Sequence, residues 1–309
     1  MDYRRANRAF LYMVLSTILY VLLYAAYVYR SGNDIPIVLN NFISEMVVLM
    51  PALAMIMFCG DRISVVVPLR SIKAGSFFLT FLYVILLFPL VTFVNSLSML
   101  FVDNTIAGIS DQILSFPMWQ MLLSIGLFGP FVEEFVFRGF FLQSYQRTGR
   151  IVASILLSSV LFGLIHMNFN QFAYAAVMGI MLSLLVEATG SVLTSFIAHA
   201  FFNSLEVVMM YATSDLMDDA AEYAGVLDKS AATFLMLGIY MVLAAIFTSI
   251  AVCVAIKISS IEGRSAFFTG ILKNKKTWPK LVTIPLIIGI VLSIAYMIEV
   301  EFISSMIAG

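Results

Sequence analysis

The sequence predicts an all-α, polytopic membrane protein, and three observations carry that reading. Of 309 residues, 62% are hydrophobic and only 11% are charged, with a mean hydropathy of +1.03; a soluble domain has about 25% charged residues. The apolar residues gather in runs of about 20, the length that crosses the hydrocarbon core of a bilayer. The basic residues gather at alternate ends of those runs. No soluble domain of useful size is visible, so 1–309 reads as a single integral membrane domain.

About nine spans are expected, or eight if one does not cross. The first covers 9–29, after Arg4, Arg5 and Arg8. It is too long for the apolar core of a signal peptide and has no small-residue cleavage site, so it reads as a retained helix. The second, 40–59, contains Pro51 as an expected kink. A linker with Arg62, Arg70 and Lys73 leads to the third, 75–101, which contains Pro89. A polar loop, 102–117, precedes the fourth span at 119–146. The fifth and sixth, 151–167 and 171–187, are joined by the amide-rich turn Met167–Gln171. The seventh, 191–212, follows the tight Thr189–Gly190 turn. An acidic loop, Ser214–Asp228, separates it from the eighth span at 231–256. A basic linker, 257–280, then leads to the ninth at 281–305.

Of the 17 basic residues, 14 fall on one side of this arrangement. The positive-inside rule then puts the N-terminus and the 257–280 linker in the cytoplasm and the C-terminus outside. The expected location is the plasma membrane of a bacterium. The net charge of −1 gives no basic field for nucleic acid; the expected partners are the lipid bilayer and a membrane protein or peptide. Cys59 and Cys253 lack metal-ligand spacing and read as small apolar residues.

Ionisable groups at membrane depth are expensive, so they are functional candidates by default. The fourth span holds Glu133, Glu134 and Arg138 among phenylalanine, valine and glycine. Glu134 and Arg138 are four residues apart, in the order that suits an intrahelical ion pair. Glu133 points about 100° away and is left free. Both histidines of the chain also lie in spans. His166 ends Phe162-Gly163-Leu164-Ile165-His166, and His199 shares a helix face with Asn203. At 1.5 Å per residue, Glu133 and His166 lie ~21 and ~22 Å from the cytoplasmic ends of their spans. His199 and Asn203 lie ~12 and ~18 Å from theirs. The four can share one layer.

A carboxylate beside an imidazole can take a proton from water and return it to a leaving group. A histidine and an asparagine on one face can donate to a developing oxyanion. Glu plus two His is also a catalytic zinc set, so Glu133, His166 and His199 are the ligands if a metal is used. The metal-free reading is favoured, because an asparagine suits an oxyanion better than a metal. No H-E-x-x-H and no G-x-S-x-G is present. That leaves out the usual zinc-protease helix and gives no sign of a serine nucleophile.

The motifs Glu133-Glu134-x-x-x-Arg138, Phe162-x-x-x-His166 and His199-x-x-x-Asn203 resemble, in order and in membrane context, those of the CPBP intramembrane protease family. That family includes the eukaryotic CAAX-processing endopeptidase and the bacterial Abi proteins. The resemblance covers about residues 131–203, within a helical core at 119–212. It implies an endopeptidase acting on a membrane-associated protein or peptide. Glu133 and His166 would activate water, and His199 and Asn203 would form the oxyanion site. Glu134 and Arg138 would be structural, with Phe162 packing or shaping the pocket. The alternatives are a non-catalytic scaffold, immunity or regulatory protein on the same fold, and a transporter using these residues as a proton relay. Glu206, three residues past Asn203, borders the same face.

Overall fold

The computed structural model describes residues 2–223, 229–271 and 281–308. These residues are helical with no strand among them. Nine long helices follow the expected runs: α1 (Tyr3–Ser31), α2 (Ile37–Phe58), α3 (Ala74–Ser98), α4 (Met118–Gln146), α5 (Ile151–Leu164), α6 (Phe169–Thr189), α7 (Val192–Tyr223), α8 (Lys229–Ile261) and α9 (Ile284–Ala308). Among the described residues, eight are long and apolar enough to cross a membrane. The exception is α5, apolar but only 14 residues long. At 1.5 Å per residue it spans ~21 Å, short of a full bilayer core.

Helix ends follow local chemistry. The Asp2 carboxylate accepts from the Arg4 amide and starts α1, and Gly32, at φ 67°, ends it. Asn168 caps α6 by accepting from the Gln171 amide at 2.8 Å. Gly190 closes α6 at φ 73°, and a Cβ there would stand 2.9 Å from the Arg264 guanidinium. Just beyond, the Ser191 hydroxyl donates to the Arg70 carbonyl and accepts from the Arg70 amide. These bonds tie the 67–73 connection to the start of α7.

Three expected connections are more helical than the sequence reading had them. The expected loop at 102–117 contains a turn at Ala107–Ile109 and a short helix, Ser110–Leu114. The expected acidic loop from Ser214 is helical backbone through Tyr223, as α7 runs on; the stretch Leu216–Glu222 includes good helix formers that propagate it. The 257–280 linker begins as the last turn of α8 and continues as the helix Ser265–Gly270. The rest of both expected connections, 224–228 and 272–280, lies outside the described residues.

In the interior, α5 packs along α6 and α4 against α7, while α3 pairs with α8. α1 packs against both α2 and α9. α4, α6 and α7 have the largest buried shares of the spans, so the middle of the chain is the centre of the fold. The expected site residues lie there, on α4, α5 and α7, with His166 in the turn that ends α5 rather than inside the span.

Candidate active site

α4 is not a regular α-helix. Two seven-residue π-helical stretches, Leu122–Phe128 and Phe135–Phe141, bracket the α-helical turn that carries Glu133 and Glu134. Such wide turns disturb the i→i−4 ladder and recur at functional sites. The first one is used directly. The Asn203 side-chain amide donates to the Ile125 carbonyl at 3.2 Å, and Asn41 on α2 donates to the Ser124 hydroxyl at 3.0 Å. Close approach makes the first bond reachable. A Cβ on Gly126 would lie 2.6 Å from the Ser204 hydroxyl oxygen and 3.4 Å from its Cα, so α4 and α7 meet backbone to backbone there.

His166 sits at a sharp reversal. The last turn of α5 tightens, with the His166 and Met167 amides donating to carbonyls three residues back. Met167 then adopts φ 55°, and Asn168 begins α6. A non-glycine residue with positive φ is a local strain, of the kind that clusters at functional sites. The Asn168 side chain donates to the His166 carbonyl at 2.8 Å and holds the turn.

The seven expected site residues come together. His166 Nε2 lies 3.7 Å from Glu133 Oε1, and His199 Nε2 lies 3.5 Å from Glu133 Oε2. Both rings are oriented through their other nitrogen. His166 Nδ1–H donates to the Phe162 carbonyl at 2.8 Å. His199 Nδ1–H donates to Glu134 Oε1 at 2.9 Å. A carbonyl, or a carboxylate already facing an arginine, can only accept, so Nδ1 carries a proton in both rings and Nε2 is the nitrogen that faces Glu133. Glu134 Oε1 also lies 2.9 Å from the Arg138 guanidinium, the expected i,i+4 pair. Glu134 thus serves two partners, Arg138 and His199. Phe162 packs against all of them: Arg138 lies 4.3 Å above its ring, and His166 and His199 meet it edge-on at 5.1 and 5.8 Å.

Glu133, Phe162, His166, His199 and Asn203 line one cavity of about 650 Å³. Its wall also carries Glu206 and Glu45. Glu45 did not figure in the sequence reading. Its signal was present: a single acid inside the apolar run Ile37–Phe58, four residues after Asn41. A second hollow of about 630 Å³, lined by Tyr12, Phe42 and Met46 among others, is apolar and holds none of this chemistry. The zinc alternative was tested against the donor geometry. The residue types and tautomers suit a Glu/His/His set, and each imidazole stands near one Glu133 oxygen. Among the described residues, however, no three such donors are gathered closely enough to hold a metal ion.

The class of site is a carboxylate facing two oriented imidazoles inside a bundle of apolar helices. Residues 115–205 match the family described as type II CAAX prenyl endopeptidase Rce1-like. The chain is also similar to the Bacillus subtilis (strain 168) protein named "Putative membrane peptidase YdiL", at 31% identity over 108 residues. That match spans 35% of this chain and 43% of the relative. No solved structure matches the chain. The resemblance to the CPBP intramembrane protease family, drawn from the three motifs, is borne out over this stretch. All seven motif residues fall inside it.

Proposed function

We propose that this protein is an intramembrane endopeptidase that hydrolyses a peptide bond in a membrane-associated protein or peptide. The observation that carries the reading is the meeting of Glu133 with His166 and His199. Three helices contribute, and both rings are fixed through Nδ1. Spacings of 3.5–3.7 Å are longer than direct hydrogen bonds, so the Glu133 carboxylate is tied to neither ring and its oxygens remain able to accept from a water beside the three groups.

In this reading Glu133 takes a proton from water that His166 Nε2 helps to orient. The water oxygen adds to the scissile carbonyl carbon. The oxyanion accepts a hydrogen bond from the second N–H of Asn203, whose first N–H is held by Ile125. It accepts another from His199. Because His199 Nδ1 already donates to Glu134, this second bond uses Nε2–H, and the ring acts as an imidazolium between two carboxylates. The C–N bond then breaks, the proton on Glu133 passes to the departing amine, and an acid and an amine leave. The prenylated substrate in the family's description is not carried over to this chain, because the sequence contains nothing that reads as a prenyl site. Glu133, His166 and His199 would be the ligands in the zinc alternative, but they are not gathered closely enough to hold the ion, and the steps above use the side chains alone.

The test compares membrane peptides, by mass spectrometry, from cells carrying wild-type or Glu133→Gln protein. Peptide ends present only with wild type are expected, and a synthetic peptide spanning such a site should be cut by purified wild type. Purified Glu133→Ala and His166→Ala proteins should not cut it, while eluting and melting as folded protein. Full turnover by either variant sinks the reading. Activity lost on strong chelation and restored by zinc would select the metal form.

A further inference from the structure

The carboxyl groups in and behind the cavity differ in how they are partnered. Glu134 is matched by Arg138 and His199. Glu45 and Glu206 stand on the cavity wall without a charged partner, and no Lys or Arg is among the described residues that line it. Glu45 Oε2 is sealed from solvent and has no hydrogen-bond partner. A carboxyl group in that position is tolerated either with a proton on it or with a cation beside it.

The positions of the two acids relative to the proposed chemistry are informative. Glu45 Oε1 would lie 3.4 Å from a Cβ built on Gly129, and Gly129 is one helical turn before Glu133 on α4. The absence of a side chain at 129 lets the Glu45 carboxyl rest against α4. Asn41, one turn earlier on α2, is held by Ser124 and fixes that face of α2 to α4. Glu206 also lines the cavity and is one turn past Asn203 on α7, and residues so spaced are about 5–6 Å apart at Cβ. Each of these carboxyl groups therefore lies about one helical turn from a member of the proposed catalytic set, Glu45 beside Gly129 ahead of Glu133 and Glu206 after Asn203. The tyrosine ring of Tyr174 lines the cavity as well and adds a face suited to a cation.

We propose that Glu45 and Glu206 are specificity-determining residues, and that the cavity selects a substrate with a lysine or arginine side chain beside the scissile bond. This rests on the endopeptidase reading for what the site does, and on the unpaired carboxyl groups for what it prefers. An acidic substrate residue would meet Glu45, Glu133 and Glu206, with no Lys or Arg among the described lining residues to pair with it.

The experiment is a binding measurement and does not need turnover. Full-length Glu133→Gln protein in detergent micelles is titrated by calorimetry with acetyl-Leu-Leu-Arg-Leu-Leu-amide, and with the same peptide carrying Gln for Arg. The arginine peptide is expected to bind at least about tenfold more tightly, the size of one favourable desolvated charge contact. Adding Glu45→Gln and Glu206→Gln should reduce that ratio to about threefold or less, with the affinity for the glutamine peptide retained as the check on folding. Equal affinity for the two peptides overturns the proposal. So does a ratio that survives both substitutions. If both substitutions abolish binding of either peptide, the single variants are titrated, and a ratio unchanged in each overturns it. A Glu133→Gln protein that still cleaves would count against the endopeptidase mechanism alone, since the affinity ratio is read separately.

Discussion

One turn of α4 handles charge in two opposite ways. On one side, Glu134 and Arg138 have side chains 1% exposed, locked to each other and to His199 and covered by the Phe162 ring. On the other, Glu133 and His166 are 14% and 18% exposed, face a cavity, and stand just beyond hydrogen-bonding distance of each other. The sealed side resembles a structural ion pair and the open side a reactive one. The difference shows how a membrane protein can keep a charged residue ready for use. The neighbouring residue faces an arginine and, through the same oxygen, fixes the imidazole that the free carboxylate needs. Glu134 is therefore more than ballast for Arg138, because it holds the His199 ring by Nδ1 and turns Nε2 toward Glu133.

The hardest way to break this comparison is to unpair the sealed side. Arg138→Met keeps much of the volume but leaves Glu134 buried opposite a neutral group. Loss of one partner of a buried pair costs about 3–5 kcal/mol. The expected result is a large fall in stability on chemical unfolding in detergent. Much of it should be recovered in the Glu134→Gln, Arg138→Met double variant, which removes both charges. A single variant as stable as wild type would mean that the pair is not the anchor described.

A sharper cut is made on the open side. Asn203→Ala removes a donor to the proposed oxyanion and leaves the sealed pair alone. Removal of one such donor costs about 10²–10³ in kcat. The loss should appear in kcat on a peptide identified from the membrane digests, with KM nearly unchanged. A change confined to KM would move Asn203 from the transition state to substrate binding.

Much of this contrast is legible in the chain, and what is hidden has physical reasons. The Glu134–Arg138 pair follows from a spacing of four on one helix. The meeting of Glu133, His166 and His199 follows from matching depths and three motifs. The bond between His199 and Glu134 joins residues 65 apart and depends on how α7 rotates against α4, which no local pattern states. The π-helical stretches are equally silent, since an apolar segment with no polar face looks alike at either pitch. They decide which carbonyls are free for Asn41 and Asn203. Glu45 belongs to neither group. It was readable by the same rule that picked out Glu133, an acid inside an apolar run, but it lies in a span with no motif around it.

The two sides also depend on how closely the helices approach, and that can be tested with a single methyl group. On α5, Gly163 lies three residues before His166. A Cβ there would stand 2.7 Å from the Phe172 carbonyl oxygen and 3.1 Å from the Ala176 Cβ, both on α6. The nearest atom is backbone and cannot swing aside, so Gly163→Ala must push α5 off α6. Overpacking of this kind costs about 1–3 kcal/mol. Its effect on turnover should be larger, because a shift of about 1 Å at a reacting group can cost about 10²-fold. The fit control is Gly238→Ala on α8, where nothing lies within 4 Å of the added carbon. There the helix should gain up to about 1 kcal/mol from alanine's better propensity, with turnover unchanged. The pair of variants, measured by thermal unfolding and by cleavage of the same peptide, separates tight packing around His166 from tolerance elsewhere. Equal effects at both glycines would mean that the α5–α6 contact does not position His166.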